Sequence, residues 1–142
     1  MTAFSISTSK APYFKNSAGN VYYVGEDYVQ LAWSTAKISL ADTQVFYEQV
    51  LTLMRQNGAR KILSEHGQRQ PLSPAVQHWI IHNWIPRAMQ QAQVAYCAIV
   101  DGSNPMHRLS TQTVIFEAPE GFTFKRFSTI IEAQTWLRSL PA

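Results

Sequence analysis

Two runs of β-branched and aromatic residues, 21–24 and 28–33, begin the patterned part of the chain. Only Gly25, Glu26 and Asp27 separate these runs, and three residues that include a glycine fit a short connection between antiparallel strands. The residues before them are mostly small and polar. We therefore expect a loosely ordered lead-in over residues 1–20, followed by a hairpin that begins a single domain over residues 21–142.

Three later segments have apolar residues spaced by three and four positions, as in helices with one buried face. Ser39 is the expected cap of the first helix, which should end at Gly58. Ser73 is the expected cap of the second helix, and Pro86 should kink or end it. Thr129 is the expected cap of the last helix.

Shorter apolar segments lie between these helices. Residues 60–64 and 94–100 predict buried strands, and residues 122–127 alternate like an edge strand. Residues 106–118 are ambiguous, because the β-branched residues within them would also suit a strand. We favour a helix there, since four of its residues fit a helical period: Met106, Leu109, Thr113 and Phe116.

Strands that alternate with helices along a chain imply an α/β fold. The order of elements predicts a mixed sheet of about five strands, largely parallel after its opening hairpin, with helices packed on it.

That order, with several local landmarks, resembles a family of small bacterial proteins with a STAS-like fold, related in shape to anti-sigma-factor antagonists. The landmarks run through residues 20 to 140: Leu31-Ala32-Trp33, Lys61-Ile62-Leu63-Ser64, Trp79 with Ile85-Pro86, Val94-Ala95-Tyr96 and the segment from Glu132 to Leu137. The resemblance implies a STAS-like fold and a regulatory role. Most members of the family have no assigned function.

Anti-sigma-factor antagonists carry a phosphorylatable hydroxyl in an Asp-Ser-Ser-Gly-like turn. The corresponding turn here begins Ser64-Glu65-His66-Gly67, and only Ser64 and Gly67 match that pattern. Glu65 places a negative charge beside the hydroxyl, which disfavours an added phosphate. The sequence leaves open whether Ser64 is modified, but it argues against a phosphorylation switch.

Composition narrows the classes of partner and compartment. Of 142 residues, 46% are hydrophobic and 15% charged, and the 12 basic residues are scattered along the chain without forming a run. Nucleic-acid binding requires a concentrated positive face, so we expect no nucleic-acid partner. The chain lacks an apolar segment long enough for a membrane span and a secretory leader, which favours the cytoplasm and excludes integral membrane association.

The residues that often mark catalysis or metal binding do not form a recognisable motif. His78 and His82 share a helix face, but two histidines do not make a zinc site, so we expect no metal and no cofactor. Cys97 lies in an apolar run and is expected to behave as a small hydrophobe. Nucleophile elbows and glycine-rich phosphate loops are missing from the sequence.

Two groups of residues remain as candidates for a functional surface. In sheets of this kind, ligands meet the loops at the carboxyl ends of parallel strands. That rule selects residues in two loops: Ser64, Glu65, His66, Arg69, Asp101, Asn104, His107 and Arg108. Aromatic residues are candidates for a groove or an interface, with plain core packing as the alternative: Trp33, Trp84, Phe122 and Phe124.

Three functions are compatible with these observations. The leading hypothesis is a non-catalytic regulatory or interaction module that binds another protein or itself. The alternative is a carrier or sensor of a small apolar ligand held between the helices and the sheet. A metal-dependent enzyme using His78 and His82 is the third.

Overall fold

The structure is a computed structural model that describes residues 11–25 and 28–141. Its single sheet has six strands in chain order: β1 (Phe14–Asn16), β2 (Gly19–Tyr23), β3 (Tyr28–Trp33), β4 (Lys61–Glu65), β5 (Tyr96–Val100) and β6 (Thr123–Phe127). Strands β1 to β3 pair antiparallel, and β3 to β6 pair parallel. The predicted α/β fold with a mixed sheet is confirmed, with one strand more than expected.

The additional strand falls within the expected lead-in. Residues 1–10 lie outside the described part of the chain, but β1 and the start of β2 already belong to the sheet. Lys15 pairs with Asn20, and Ala18 is fully buried. A three-residue strand has no periodicity to detect, because its order comes from pairing with β2.

Five α-helices connect or follow the parallel strands: α1 (Leu40–Asn57), α2 (Pro74–Trp79), α3 (Ile85–Ala92), α4 (Pro105–Glu117) and α5 (Ile130–Ser139). The expected caps are present. Ser39, Ser73 and Thr129 each accept a hydrogen bond from the backbone N–H three residues later. Gly58 ends α1 with φ of 69°, in the left-handed region that suits glycine.

The helical segment does not end at Pro86. A π-helical turn, Ile80–Trp84, joins α2 to α3, and the backbone N–H of Ile85 donates to the Ile80 carbonyl. In a regular helix, proline lacks an N–H donor and its ring crowds the carbonyl four residues earlier. The wider π-helical turn accommodates the proline without ending the helix. The helical segment therefore continues to Ala92, and Ile80, Ile81 and Trp84 are all buried.

The helices divide between the two faces of the sheet. The larger core lies between one face and helices α1 to α4, and a smaller core lies under α5 on the other face. This division follows from right-handed connections between neighbouring parallel strands, which place successive helices on the same face. Lys61 fastens α5 to the second face, because its ammonium donates to the carbonyls of Leu137 and Leu140.

Helix α4 confirms the helical prediction for residues 106–118, but it is oriented opposite to the usual amphipathic helix. Met106, Leu109 and Phe116 are 61%, 63% and 85% exposed. The buried side consists of His107, Thr111 and Val114. These three apolar residues do follow a helical period, but their side chains face solvent.

Among the described residues, no helix combines the length and the apolar character needed to cross a bilayer.

Candidate functional site

The loops that follow β4 and β5 meet at the carboxyl edge of the sheet. The backbone N–H of His66 donates to the Val100 carbonyl at 3.1 Å, and that of Ser103 donates to the Gly67 carbonyl at 2.9 Å. Gly102 lies so close that a Cβ there would be 2.2 Å from the Gly67 oxygen. The two loops predicted from strand order are therefore in direct backbone contact.

A cavity lies beneath these loops, between the sheet and the helices. Its volume, measured as the space open to the centres of water-sized molecules, is about 50 Å³, several times what one water requires. Its walls are mostly apolar and come from both layers: Leu31, Ile62, Cys97, Ile99, Phe122 and Phe124 from the sheet side, and Tyr47, Leu72, Ile80, Trp84, Ile85, Val114 and Ile115 from the helical side. A predominantly apolar pocket with few polar groups is typical of small-molecule sites.

The polar lining of the cavity begins with a short hydrogen-bonded chain. The indole N–H of Trp33 donates to Ser64 Oγ at 2.9 Å, and Ser64 Oγ lies 3.1 Å from His66 Nε2. Because the indole can only donate, Ser64 is able to donate its own proton to Nε2. That assignment puts the ring proton of His66 on Nδ1, a buried atom with no partner among the described residues.

Arg69 is the charged group of this lining. Its side chain is buried, 4% exposed, and its guanidinium carbon lies 3.4 Å from the centre of the Trp33 ring. Tyr47 from α1 lies close enough to raise the pKa of Arg69, although burial lowers it more. Within residues 11–25 and 28–141, no carboxylate forms an ion pair with Arg69. A buried cation without a countercharge is costly, so its retention needs a reason.

The two histidines and the thiol of the site are neutral at pH 7. Burial, reinforced by Arg69, lowers the pKa of His107 to about 4. The same causes hold the pKa of His66 well below its ordinary value. Burial raises the pKa of Cys97 to about 12 and lowers that of Arg69 to about 10, which leaves the guanidinium charged.

The loop candidates divide into a convergent set and a scattered set. Ser64, His66 and Arg69 line the cavity, and the ring of His107 stacks edge-on against His66 with 4.7 Å between centroids. The other four do not line the cavity. Asp101 Oδ1 lies 3.6 Å from Arg126 Nε, Asn104 caps α4, and Arg108 is exposed. Strand alternation turns Glu65 away from Ser64.

Burial also bears on the phosphorylation question. Ser64 is 5% exposed, and its hydroxyl is engaged by both Trp33 and His66. A kinase could reach it only after local opening.

The aromatic candidates require a correction. Trp33, Trp84 and Phe122 are buried, and Phe124 is half-buried, so they do not form an exposed surface. Trp84 donates its indole N–H to the Tyr47 carbonyl, which satisfies its polar atom inside the core. Three of the four line the cavity, and Trp33 covers Arg69.

Sequence reasoning missed two contributors to the site. Tyr47 lies among the apolar residues of α1 and therefore looked like an ordinary core residue. Arg126 lies on a strand whose sequence does not indicate that the side chain is partly buried. Arg126 donates to Thr111 on α4 and to the Arg108 carbonyl. Neither position carries a local motif, because the contacts are made across 15 or more residues of chain.

His78 and His82 are exposed neighbours on the helical segment, with ring centroids 4.4 Å apart. Across the described ranges, no group of three or more potential metal ligands comes together.

No protein-family model matches this sequence, and no curated protein matches it.

Proposed function

We propose that this protein is a non-catalytic sensor or carrier that binds a small, mainly apolar molecule in the cavity beneath the loops after β4 and β5. The observation that supports this most is the cavity itself, which has apolar walls and a small polar lining of buried Ser64, His66 and Arg69. Such a combination gives a ligand both an apolar environment and an orientation.

The polar groups favour binding over catalysis. A serine nucleophile requires a base that is itself oriented by a third group. Ser64 does contact His66, but its oxygen also accepts the Trp33 proton, and Nδ1 of His66 has no acidic partner within the described chain.

Cavity filling tests the proposal. Cys97 lies on β5 and lines the cavity, so Cys97→Met should occupy space that a ligand needs, whereas Cys97→Ala leaves it open. We expect butyramide, a small neutral probe, to shift amide NMR signals of cavity residues in the wild type and in Cys97→Ala. The same titration should leave the signals of Cys97→Met unmoved. Equal responses in all three proteins, or none in any, would refute the proposal.

A second candidate function, protein interaction, rests on the outer side of α4. Met106, Leu109 and Phe116 are three and seven positions apart, so they occupy three positions of a helix-pairing seam whose fourth is Thr113. We propose that an amphipathic helix of a partner protein docks transiently along this seam, because three side chains offer less than the roughly 800 Å² per partner that any stable complex, including a dimer of this chain, requires. Light scattering should give a monomer. A dimer that Phe116→Glu dissociates would identify the occupant as a second copy instead.

A further inference from the structure

We infer that the ligand of this cavity is a small monoanion, a carboxylate attached to a compact apolar body, and that its carboxylate binds Arg69. This inference rests on the proposed function and names the chemical class of the ligand. Two independent features support it: the charge balance around the cavity and the unused hydrogen-bond donors within it.

The charge balance leaves one positive charge. Two guanidinium groups, Arg69 and Arg126, are near the histidine pair, and both depress the pKa of His107. Asp101 neutralises Arg126, with 3.6 Å between Asp101 Oδ1 and Arg126 Nε. Tyr47, His66 and Cys97 are neutral at pH 7, since burial shifts the pKa of each toward its uncharged form. Arg69 therefore remains unneutralised by the described residues, and one negative charge would balance it.

The donors suit a carboxylate. A guanidinium offers parallel N–H groups that match the two oxygens of a carboxylate. His66 lines the same cavity, and a Ser64 hydroxyl that donates to Nε2 would leave the ring proton on Nδ1. Nδ1 is buried and has no partner in the described chain, so in that tautomer it is one further donor.

Arg69 also borders a second pocket, which is lined in addition by Lys37, Gln70 and Ser73. The arginine therefore lies at the margin of the apolar cavity, where the charged group of an amphipathic ligand would bind while its apolar part occupies the interior.

The size of the cavity limits the apolar part of the ligand. About 50 Å³ of space for the centres of water-sized molecules limits this part to a tail of a few carbons. A dianionic phosphate fits less well, because it would place a second negative charge against predominantly apolar walls.

A comparison of butyrate with its neutral amide tests the inference. We expect butyrate to bind the wild-type protein roughly 10- to 100-fold more tightly than butyramide in NMR titrations, as the loss of one charged hydrogen bond implies. Arg69→Met should abolish that preference. Arg87→Met is the matched control, because Arg87 pairs with Glu48 outside the cavity, and it should keep the preference.

The outcomes separate the two proposals. Equal binding of butyrate and butyramide to the wild type refutes the anionic ligand and leaves the cavity proposal standing. Binding of neither refutes both. A preference for butyrate that persists in Arg69→Met also overturns the role of Arg69. If the methionine variant does not fold, Arg69→Lys, which keeps the charge but loses the planar fork, should weaken butyrate binding while retaining the preference.

Discussion

At the scale of single residues, Arg69 is the side chain whose environment departs most from ordinary packing. Its guanidinium is stacked on Trp33 inside the protein and has no carboxylate partner in the described chain. Stability alone does not favour such a residue, because burial of an unpaired charge opposes folding. Function at the expense of stability is a common reason for such an arrangement.

The first prediction follows from that cost. Arg69→Met keeps an unbranched side chain of similar length but removes the buried charge. We expect the free energy of unfolding of the ligand-free protein to rise by about 1 kcal/mol, because the relief of desolvation exceeds the lost stacking on Trp33. Urea denaturation of the wild type and the variant measures this difference in the free energy of unfolding. A loss of stability would mean that Arg69 has a structural role.

His107 provides a pH-dependent prediction. Its pKa in the folded protein is about 4, below the ordinary value of 6.5, because burial and Arg69 oppose protonation. The unfolded chain therefore binds the proton more tightly, and stability is lost as pH falls from about 6.5 toward 4. Between pH 7.5 and pH 5 the contribution of His107 is about 2 kcal/mol.

The measurement is urea denaturation at both pH values. His107→Gln removes the titrating group, so its free energy of unfolding should fall less on acidification than that of the wild type. His66 titrates in the same direction, so part of the slope remains in the variant. Identical slopes in the two proteins would exclude His107 as the cause.

At the scale of elements, α4 separates the cavity from the exposed apolar seam. Thr111 and Val114 line the cavity, while Leu109 and Phe116 face solvent on the other side. A ligand that displaces the inner side of the helix would also move the outer side. The two proposed functions, ligand binding and helix docking, therefore share one element.

The orientation of α4 predicts losses of different size for two truncations. Phe116→Ala removes a side chain that is 85% exposed and should change the free energy of unfolding by less than about 0.5 kcal/mol. Val114→Ala removes buried methyl groups and should cost about 1–3 kcal/mol. Thermal or urea denaturation compares them. A larger loss at Phe116 would show that the helix has the reverse orientation.

At the scale of the whole molecule, the site exists because two loops far apart in sequence share a backbone contact. The Gly67 carbonyl accepts from Ser103, and Gly102 fills the gap where any Cβ would clash. The same loops hold the ring of His66 against that of His107, at the edge of the cavity that His66 lines.

Glycine substitutions test the loop contact. Gly102→Ala sets a methyl group 2.2 Å from a carbonyl oxygen, so we expect a loss of about 3 kcal/mol or more in stability, since backbone must move. Gly67→Ala meets no atom within 4 Å, and its φ of 55° should cost only about 1 kcal/mol. Equal losses in a denaturation experiment would contradict the close approach.

The sequence by itself determined most of the elements and the mixed, largely parallel character of the sheet, but not β1. Caps such as Ser39 and Thr129, and the apolar runs of β4 and β5, act through near neighbours, so their signals are local. Strand order then located the two loops at one edge, because parallel strands end on the same side.

Only the tertiary structure decided which residues form the site and which face of α4 is buried. Burial depends on what packs opposite a side chain, and the partners of Arg69 come from β3 and α1. Trp33, Trp84 and Phe122 looked like surface candidates for the same reason: composition gives no measure of exposure. That Arg69 has no carboxylate partner within the described ranges is likewise a property of the assembled site, because it depends on several elements at once.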